Sequence, residues 1–468
     1  MLGKTRRVHF IGVGGSGMSG IAELLANLGF VVSGSDELAS PATERLARLG
    51  VDVSHGHAAA HVCGADVVVV SSAVRPTNPE VVESVRRRIP VIPRAEMLAE
   101  LMRLRYAVAV AGAHGKTTTT SMIALVLERA GLDPTALIGG RLSAFGSNAR
   151  LGGSELMVAE ADESDRSFLK LFPTIAVITN IDHEHLESYG SFGELQQAFV
   201  DFANRVPFYG SVVCCADEPH LMAVVPRMTR RVMTYGVTSP GAEITATDIN
   251  LGPLSVSATV LRRVRPADDP SPAQARIGTL RLKVPGLHNL LNALATVTVS
   301  LELGVPFERI AKGLEEFGGA ERRFEVRGEP GGVMVVDDYG HHPTEIAAVM
   351  AAAKALNRRI VVAFQPHRFS RTAALLDGFG PALAGAAHIV LTGIYAAGEE
   401  PWPGVTIERL ATAVRATVSV PVDVVERLDD VPEALARIAR PGDVVITLGA
   451  GSIGTVPDRL LALLGRPA

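Results

Sequence analysis

The residues best suited to chemistry lie at positions 112–118, where the chain reads Gly-Ala-His-Gly-Lys-Thr-Thr. A short apolar strand is predicted before this turn, and a helix over residues 121–130 after it. Such a turn points backbone N–H groups at an oligophosphate, while Lys116 meets phosphate charge and the Thr117 hydroxyl ligates Mg²⁺. The strict motif requires a glycine where this chain has Val110, so the match is to a shorter variant. It predicts a nucleoside-triphosphate site; the alternative is an ordinary strand-helix turn with a solvated lysine.

An acidic cluster follows the next predicted strand, residues 155–159. It reads Glu-Ala-Asp-Glu-Ser-Asp from Glu160 to Asp165. An acidic side chain at the carboxyl end of such a strand can reach a magnesium ion held by the threonine of a phosphate turn. Glu160 is therefore the candidate metal ligand, against the alternative of a solvated turn.

A second glycine-rich turn lies near the N-terminus, where residues 12–17 read Gly-Val-Gly-Gly-Ser-Gly. It follows a predicted buried strand over residues 7–13, and Asp36 closes the next predicted strand. This arrangement is typical of a Rossmann-type unit that binds a pyrophosphate. A nicotinamide cofactor is one possible ligand, and glycines that only allow close helix packing are another explanation.

Further polar clusters follow other predicted strands. A doubly wound sheet places its ligands at the carboxyl ends of its strands, so these clusters are candidate site residues. They lie at residues 180–185, 337–345, 365–372 and 393–399, and a polar helix start lies at residues 288–293.

Strands and helices alternate along the chain, which predicts an α/β fold. At 468 residues the chain exceeds what one hydrophobic core usually serves. We expect a Rossmann-like domain at residues 1–105, a central P-loop-type ATPase domain at 106–321 and a Rossmann-like α/β domain at 322–468. A hinge is expected near residues 318–323, about which the third domain closes over the other two.

The composition of the chain limits the classes of partner and the locations to be expected. The formal net charge of −4 gives no electrostatic reason to expect nucleic acid or an anionic membrane as a partner. No segment near the N-terminus has the length of a signal peptide or membrane span. Cys63, Cys214 and Cys215 form neither a disulfide framework nor a metal-ligand pattern, which indicates a reducing, cytoplasmic location.

Taken together, these motifs resemble the Mur ligase family. The resemblance spans nearly the whole chain in family order and includes residues 12–20, 111–120, 160–165, 288–293, 337–345 and 365–372. The forms Asp-Asp-Tyr-Gly-His-His-Pro-Thr-Glu and Gln-Pro-His-Arg-Phe-Ser-Arg-Thr are most similar to the branch that acts on L-alanine. The resemblance implies a ligase that uses ATP and Mg²⁺ to join L-alanine to UDP-N-acetylmuramate, in peptidoglycan precursor synthesis.

The same resemblance implies roles for individual residues. For the UDP-sugar they are Gly14, Ser16, Gly17 and Ser72. For ATP they are Gly112, Ala113, His114, Gly115, Lys116, Thr117, Thr118, Asn292, Arg322 and Asp338. Thr117, Glu160 and His185 are implied for magnesium, and Tyr339, His341, His367, Arg368 and Arg371 for the reacting groups, with Tyr339, His367 and Arg371 also binding substrate.

The implied mechanism activates a carboxylate. The lactyl carboxylate attacks the γ-phosphorus of ATP, and Mg²⁺, Lys116 and the arginines of the third domain offset the repulsion between the two anions. The alanine amine then attacks the acyl phosphate, with His341 or His367 as the base.

Two departures from the family pattern stand out. Other members have a carbamylated lysine that assists magnesium, but no lysine occurs between residues 171 and 282. Where relatives commonly have Asp before the metal histidine, this chain has Glu184.

Three alternatives remain open from the sequence. A ligase that recycles a tripeptide onto the same UDP-sugar is the nearest, although residues 160–169 and the pair Tyr339-Gly340 favour the alanine enzyme. A nicotinamide oxidoreductase and a nucleotide-binding module without turnover are the others. We expect a monomer or a weak homodimer.

Overall fold

A computed structural model describes residues 3–71, 73–103, 105–142, 147–264 and 273–465. The chain forms two compact units. The first comprises Met1–Ile249, Ala258–Arg281 and Leu290–Phe317, and the second comprises Asn250–Ser257, Leu282–Asn289 and Gly318–Ala468. Three sheets flanked by helices confirm the predicted α/β class. Ser72 lies outside the described residues.

The first sheet is parallel and has the order β3-β2-β1-β4-β5. This is the strand order of a Rossmann-type sheet, with β1 at the position where the order reverses. The predicted strand at residues 7–13 ends at Ile11, because Gly12 turns the chain with φ +80°. The elements are β1 (Arg7–Ile11), α1 (Ser16–Asn27), β2 (Val31–Asp36), α2 (Pro41–Arg48), β3 (Asp52–His55), β4 (Val67–Val70), α3 (Pro79–Arg86), β5 (Val91–Pro93) and α4 (Arg94–Met102).

The second sheet contains the longest row of strands, in the order β15-β14-β13-β12-β11-β10-β6-β9-β7-β8. Its elements up to β11 are β6 (Tyr106–Ala111), α5 (Lys116–Arg129), β7 (Thr135–Leu142), β8 (Ser147–Arg150), β9 (Leu156–Glu160), β10 (Ile175–Ile178), α6 (Leu186–Tyr189), α7 (Phe192–Asn204) and β11 (Ser211–Cys215). The rest are α8 (Pro219–Met222), β12 (Val232–Gly236), β13 (Ile244–Leu251), β14 (Val256–Val264), β15 (Ala273–Leu282), α9 (Leu287–Glu302) and α10 (Phe307–Glu315).

Strand β6 lies between β9 and β10, and it pairs in parallel with both. Residues 107–111 of this strand are fully buried, as expected for a parallel strand covered on both faces. The helix predicted at residues 121–130 begins earlier, at Lys116, directly after the turn. The carboxyl ends of β9 and β10 therefore flank the turn from both sides.

The third sheet has the order β16-β17-β21-β18-β19-β20, in which β16 is antiparallel to β17 and the other pairs are parallel. Alternate residues of β18 face two separate cores: Val362 and Phe364 one, Val361 and Ala363 the other. The elements are β16 (Glu325–Gly328), β17 (Met334–Asp338), α11 (Pro343–Lys354), β18 (Ile360–Phe364), α12 (Phe369–Ala374), α13 (Leu376–Ala382), β19 (His388–Thr392), α14 (Ile407–Arg415), β20 (Val422–Val425), α15 (Val431–Ile438), β21 (Val444–Leu448) and α16 (Val456–Leu464).

The three cysteines are all free thiols. Cys214 and Cys215 are buried in β11, and Cys63 is exposed. Burial raises the pKa of both buried thiols, that of Cys215 to about 12. The part of the chain that the structure describes contains no helix long and apolar enough to cross a membrane.

Candidate active site

The turn after β6 requires its two glycines. Gly112 has φ +134° and Gly115 has φ +81°, both in the region that favours glycine. A Cβ at Gly115 would lie 2.6 Å from Asn292 Oδ1, and one at Gly112 would overlap the Thr179 hydroxyl. The turn therefore has a fixed backbone conformation at the N-terminus of α5, where its N–H groups can meet an anion.

Residues that follow β10 hold this turn from one side. The Thr179 hydroxyl and the Asn180 amide both donate to the His114 carbonyl, at 2.6 and 3.0 Å, and the His114 N–H donates to Asn180 Oδ1 at 2.8 Å. His114 Nε2 lies 3.0 Å from Asp182 Oδ2. Sequence reasoning flagged residues 180–185 but assigned no role to Asn180 or Asp182. The feature that could have indicated a role for Asn180 and Asp182 is their position directly after β10, a strand adjacent to β6.

Lys116 is folded back over the turn. Its Nζ donates to the carbonyls of Gly112 and Ala113, at 2.6 and 3.1 Å, and to Glu163 Oε1 at 2.8 Å. Burial opposes the charge on Lys116, but Glu163, Glu160 and Asp162 outweigh it and raise the Lys116 pKa. An incoming phosphate would therefore compete with Glu163 for this ammonium group.

Glu163 is a functional candidate that sequence reasoning missed. Its side chain is 2% exposed, and burial raises its pKa against the opposing effect of Lys116. The sequence marks the acidic cluster as a whole and points to Glu160 within it, because Glu160 directly follows the predicted strand. Which of several nearby carboxylates pairs with Lys116 depends on the turn that follows β9.

Glu160 contacts the hydroxyl predicted to share magnesium with it. The Thr117 hydroxyl donates to Glu160 Oε2 at 3.0 Å, and the Gly139 N–H donates to the same oxygen at 2.9 Å. His185, at φ +56°, lies with Nε2 3.8 Å from Glu163 Oε1 and 3.8 Å from Glu184 Oε2. The oxygen pair of Thr117 and Glu160 fits the preference of Mg²⁺ for oxygen ligands, and the nitrogen of His185 is a less usual one.

Helix α9 supplies Asn292 to the same turn. The Thr119 hydroxyl donates to Asn292 Oδ1 at 3.1 Å, and Asn292 is 7% exposed. Thr118 is 6% exposed on the first turn of α5. The structure thus brings the residues predicted for ATP within the first unit, 112–118 and Asn292, around one turn.

The first glycine turn is held by the end of β2. The N–H groups of Gly12 and Val13 both donate to the Ser35 carbonyl, at 2.8 and 3.0 Å, and the Gly14 N–H donates to Asp36 Oδ2 at 2.8 Å. In nicotinamide enzymes an acid at this position binds the ribose hydroxyl. Here one oxygen of Asp36 already fixes the turn.

Arg94 is a cation beside this turn that no motif indicated. A Cβ at Gly17 would lie 2.8 Å from Arg94 Nη1, so the absence of a side chain at Gly17 makes room for the guanidinium. Arg94 Nη2 also lies 3.4 Å from Asp162 Oδ2. Ser16 and Gly17 begin α1, and Gly14 lies in the turn just before that helix.

In the second unit, Arg322 and Asp338 both form hydrogen bonds with neighbouring groups. Arg322 Nε lies 2.9 Å from Asp337 Oδ2, and its Nη2 donates to the Gly449 carbonyl at 2.5 Å. Asp338 accepts the N–H groups of Phe324 and Gly340, both at 2.7 Å. Burial raises the Asp338 pKa to about 6, against the effect of Arg323 and these N–H groups.

The remaining predicted residues of this unit form an aromatic and basic group. The rings of His341 and His367 lie 5.4 Å apart, and those of Tyr339 and His341 5.6 Å apart. Arg371 Nη1 lies 3.0 Å from His367 Nδ1, and because a guanidinium only donates, that nitrogen accepts. Arg368 has φ +68° and caps α12, directly after His367.

His341 has the opposite tautomer. Its Nδ1 lies 3.1 Å from the Tyr339 carbonyl, which only accepts, so Nδ1 is the protonated nitrogen in the neutral ring. The lone pair of neutral His341 is therefore on Nε2. In His367 the neutral ring has its proton on Nε2.

Comparison with known proteins matches all three parts of the chain. Residues 7–106 match the model of the Mur ligase family catalytic domain, residues 110–300 the Mur ligase middle domain and residues 322–451 the Mur ligase glutamate ligase domain. The UDP-N-acetylmuramate–L-alanine ligase of Geobacter sp. (strain M21) is 52% identical over 466 residues, which is 99% of each chain.

Two solved structures have the same fold. A UDP-N-acetylmuramate-alanine ligase from Thermotoga maritima aligns with a TM-score of 0.80 and 29% identity over 97% of this chain and 98% of its own. A murein peptide ligase from Psychrobacter arcticus aligns with a TM-score of 0.72 and 26% identity over 99% of both chains. These likenesses confirm the predicted three-domain α/β fold and the predicted family. With matches that run from residue 7 to residue 451, the chain belongs to the Mur ligase family.

Proposed function

We propose that this chain is an ATP-dependent ligase that joins L-alanine to the lactyl carboxylate of UDP-N-acetylmuramate, releasing ADP and phosphate. The observation that supports it most is the pair of glycine turns in one chain, of which only the second has a lysine and a Thr117–Glu160 contact. One turn suits a nucleotide-linked sugar and the other a triphosphate. The full-length relative from Geobacter sp. (strain M21) bears the name of this activity.

The triphosphate turn would hold ATP and Mg²⁺. Thr117 and Glu160 provide oxygen ligands for the ion, and His185 is the third candidate. When bound, Mg²⁺ offsets the negative charge of the phosphates. Lys116 would exchange its contact with Glu163 for a contact with a phosphate oxygen. Asn292 would contact the adenine ring of ATP.

The reaction has two steps. A lactyl carboxylate oxygen attacks the γ-phosphorus, the bond from that phosphorus to the β,γ-bridging oxygen breaks, and ADP leaves with the electron pair. The alanine amine then attacks the acyl carbon of the acyl phosphate, loses a proton to a base, and inorganic phosphate leaves. Lys116, Arg368 and Arg371 would offset charge at the reacting groups.

We assign the base to His341. A base needs a lone pair, and the contact of Nδ1 with the Tyr339 carbonyl places the lone pair of neutral His341 on Nε2. Neutral His367 instead accepts from Arg371 through Nδ1 and is better suited to donate from Nε2. Tyr339, His367 and Arg371 would orient the amino acid, and Arg322 and Asp338 would assist nucleotide binding.

The alternatives are less well supported. In a nicotinamide oxidoreductase the triphosphate turn would have no use, and Asp36 would have to release Gly14 to bind a ribose. A tripeptide-recycling ligase shares the fold, but the full-length relative that is 52% identical bears the name of an L-alanine ligase. We further propose a cytoplasmic location, where ATP is available, and a monomer or weak homodimer.

The test is a ligation assay. Purified protein is incubated with ATP, Mg²⁺, UDP-N-acetylmuramate and single amino acids, and phosphate release and product mass are measured. We expect phosphate release with L-alanine and a product heavier by one alanyl group. No amide product with alanine, or turnover only with a tripeptide, would overturn the proposal.

Replacement of Lys116 tests the triphosphate turn. Lys116→Ala is expected to lower the ligation rate by about 100-fold or more, because it removes the cation that meets the phosphates. Lys170→Ala is the matched control, since the Lys170 side chain is half exposed and its Nζ pairs with Glu96 Oε2, at 3.6 Å, rather than with the turn. A Lys116→Ala enzyme with the wild-type rate would refute the assignment of this turn.

A further inference from the structure

A buried carboxylate in the first sheet region has no part in the chemistry described above. Glu80, on the first turn of α3, is fully buried. Its Oε2 accepts from the Ser35 hydroxyl at 2.7 Å and lies 3.0 Å from His9 Nε2. Its Oε1 accepts from the Ala58 N–H at 3.1 Å and lies 2.9 Å from His61 Nδ1. A buried charge is costly unless several donors meet it, and here four do.

A third histidine closes this group. His57 Nδ1 lies 3.0 Å from the Ser35 hydroxyl oxygen and 3.4 Å from Glu80 Oε1. Because an ionised Glu80 only accepts, His9 Nε2–H donates to it, and in the neutral ring His9 Nδ1 accepts from the Ser33 hydroxyl at 2.8 Å. Burial opposes the Glu80 charge, but hydrogen bonds from His9, Ser35 and His61 outweigh it and lower the Glu80 pKa to about 2. The carboxylate is therefore ionised at neutral pH.

The network reaches the first glycine turn through one residue. Glu80 holds the hydroxyl of Ser35, and the carbonyl of Ser35 accepts the N–H groups of Gly12 and Val13. The next residue, Asp36, fixes the Gly14 N–H with its carboxylate and accepts the Gly56 N–H with its carbonyl. Glu80 thus fixes the end of β2, and the end of β2 sets the turn.

We propose that Glu80 is a positioning residue for the nucleotide-sugar site, acting through Ser35 on the backbone of residues 12–14. Glu80 does not touch the turn itself. The inference rests on the proposed function, in which this turn binds the diphosphate of UDP-N-acetylmuramate. Its physical basis is that residues 12–14, whose own N–H groups are held by Ser35 and Asp36, set the position of the following N–H groups at the start of α1, and these meet one anion well only when their directions are fixed in advance.

The first test separates substrate affinity from turnover. In Glu80→Gln the side chain keeps its shape but presents an N–H₂ group where two donors now converge, so the end of β2 must shift. We expect the KM and Kd for UDP-N-acetylmuramate to rise about tenfold, with kcat and the KM for ATP changed less than about twofold. Glu83→Gln is the matched control, because Glu83 lies on the same helix and pairs with the nearby Arg86 and Arg87.

A second variant tests the route through Ser35. Ser35→Ala removes the hydroxyl and keeps the carbonyl that accepts from Gly12 and Val13. We expect it to raise the KM for UDP-N-acetylmuramate as well, and the double variant Glu80→Gln/Ser35→Ala to exceed the larger single effect by less than about twofold. Ser35→Ala alone decides the question if Glu80→Gln does not fold.

The outcomes are distinguishable from those of the ligation assay. If the wild-type enzyme forms no amide in the ligation assay, the proposed function is wrong. Active wild-type enzyme with an unchanged KM for UDP-N-acetylmuramate in a folded Glu80→Gln variant overturns the positioning role alone. Equal increases in the KM for ATP and for the sugar nucleotide would also overturn it, because they would indicate a general loss of structure.

Discussion

At the scale of single residues, the second glycine turn shows a chain prepared for a polyanion. Lys116 is compensated by Glu163, and Thr117 is joined to Glu160, before any phosphate enters. Charged groups that are already oriented lose little freedom when a ligand replaces their partners. The sequence indicated Lys116, Thr117 and Glu160, because the motif and the strand end mark them. It could not indicate Glu163 or Glu80, whose burial depends on partners 47 and 71 residues away.

The Thr117 hydroxyl is expected to be a magnesium ligand together with Glu160. Thr117→Val keeps the shape of the side chain and removes the oxygen, so the Mg²⁺ concentration for half-maximal activity should rise about tenfold or more. Titration of the ligation rate with Mg²⁺ measures this. Thr120→Val is the control, because the Thr120 hydroxyl donates to the Lys116 carbonyl inside α5. An unchanged Mg²⁺ titration in Thr117→Val would exclude this ligand.

His341 is expected to act only after the carboxylate has been activated. His341→Gln should lower amide formation by about 100-fold or more, because proton transfer of this kind contributes at least that much. The acyl phosphate should still form, and hydroxylamine should trap it as a hydroxamate. His367→Gln serves as the comparison. If His367→Gln lost amide formation and kept hydroxamate while His341→Gln kept both, the two roles would be reversed.

At the scale of elements, the parallel strands and their carboxyl ends were the most predictable part of the chain. The strand predicted at residues 155–159 is found at Leu156–Glu160, a shift of one residue. The pairing of β12 to β15 along the edge of the second sheet was not predicted. Periodicity identifies a strand, but its neighbours depend on contacts far apart in sequence.

The turn between β6 and α5 is expected to be intolerant of a side chain. Gly112→Ala would place a methyl group against the Thr179 hydroxyl at a φ of +134°, so the variant should lose ATP binding and unfold at a lower temperature. Isothermal titration with ATP and thermal unfolding measure the two effects.

Gly131→Ala provides the control for that turn. Gly131 also has a positive φ, +83°, but no heavy atom lies within 4 Å of the position its Cβ would take. It should cost about 1 kcal/mol of stability and leave ATP binding intact. Equal ATP affinities for Gly112→Ala and the wild type would contradict a rigid phosphate turn.

For the molecule as a whole, the longest segment of the second unit begins at Gly318. This residue lies within the predicted hinge at residues 318–323. Three features stay predictions: the hinge, the domain boundaries near residues 105 and 321, and the roles of the site residues. The family and the three-domain fold were predictable because several motifs occur in one order along the chain. The two-unit division was not, because it depends on packing between segments distant in sequence.

The second unit is expected to lose stability in mild acid through His288. Burial, helped by Arg323, lowers the His288 pKa to about 4, against the opposing effect of Glu345. In the unfolded chain His288 therefore takes up a proton near pH 6.5, whereas in the folded chain it does so only near pH 4. The stabilisation is present above pH 6.5 and is lost as the pH falls between these values.

Thermal unfolding at several pH values measures this dependence. The unfolding temperature of the wild type should fall more steeply below pH 6.5 than that of His288→Gln. Parallel curves for the wild type and His288→Gln would disprove the assignment.

The exposure of a single thiol gives the molecule a natural handle for spectroscopy. Cys214 and Cys215 are buried thiols with raised pKa values, so a maleimide dye should react with Cys63 alone in the folded protein. Cys63 lies two residues after His61, in the segment fixed by Glu80. A fluorophore can therefore be placed on this segment without an engineered attachment site, and its emission can be followed while the sugar nucleotide is titrated in.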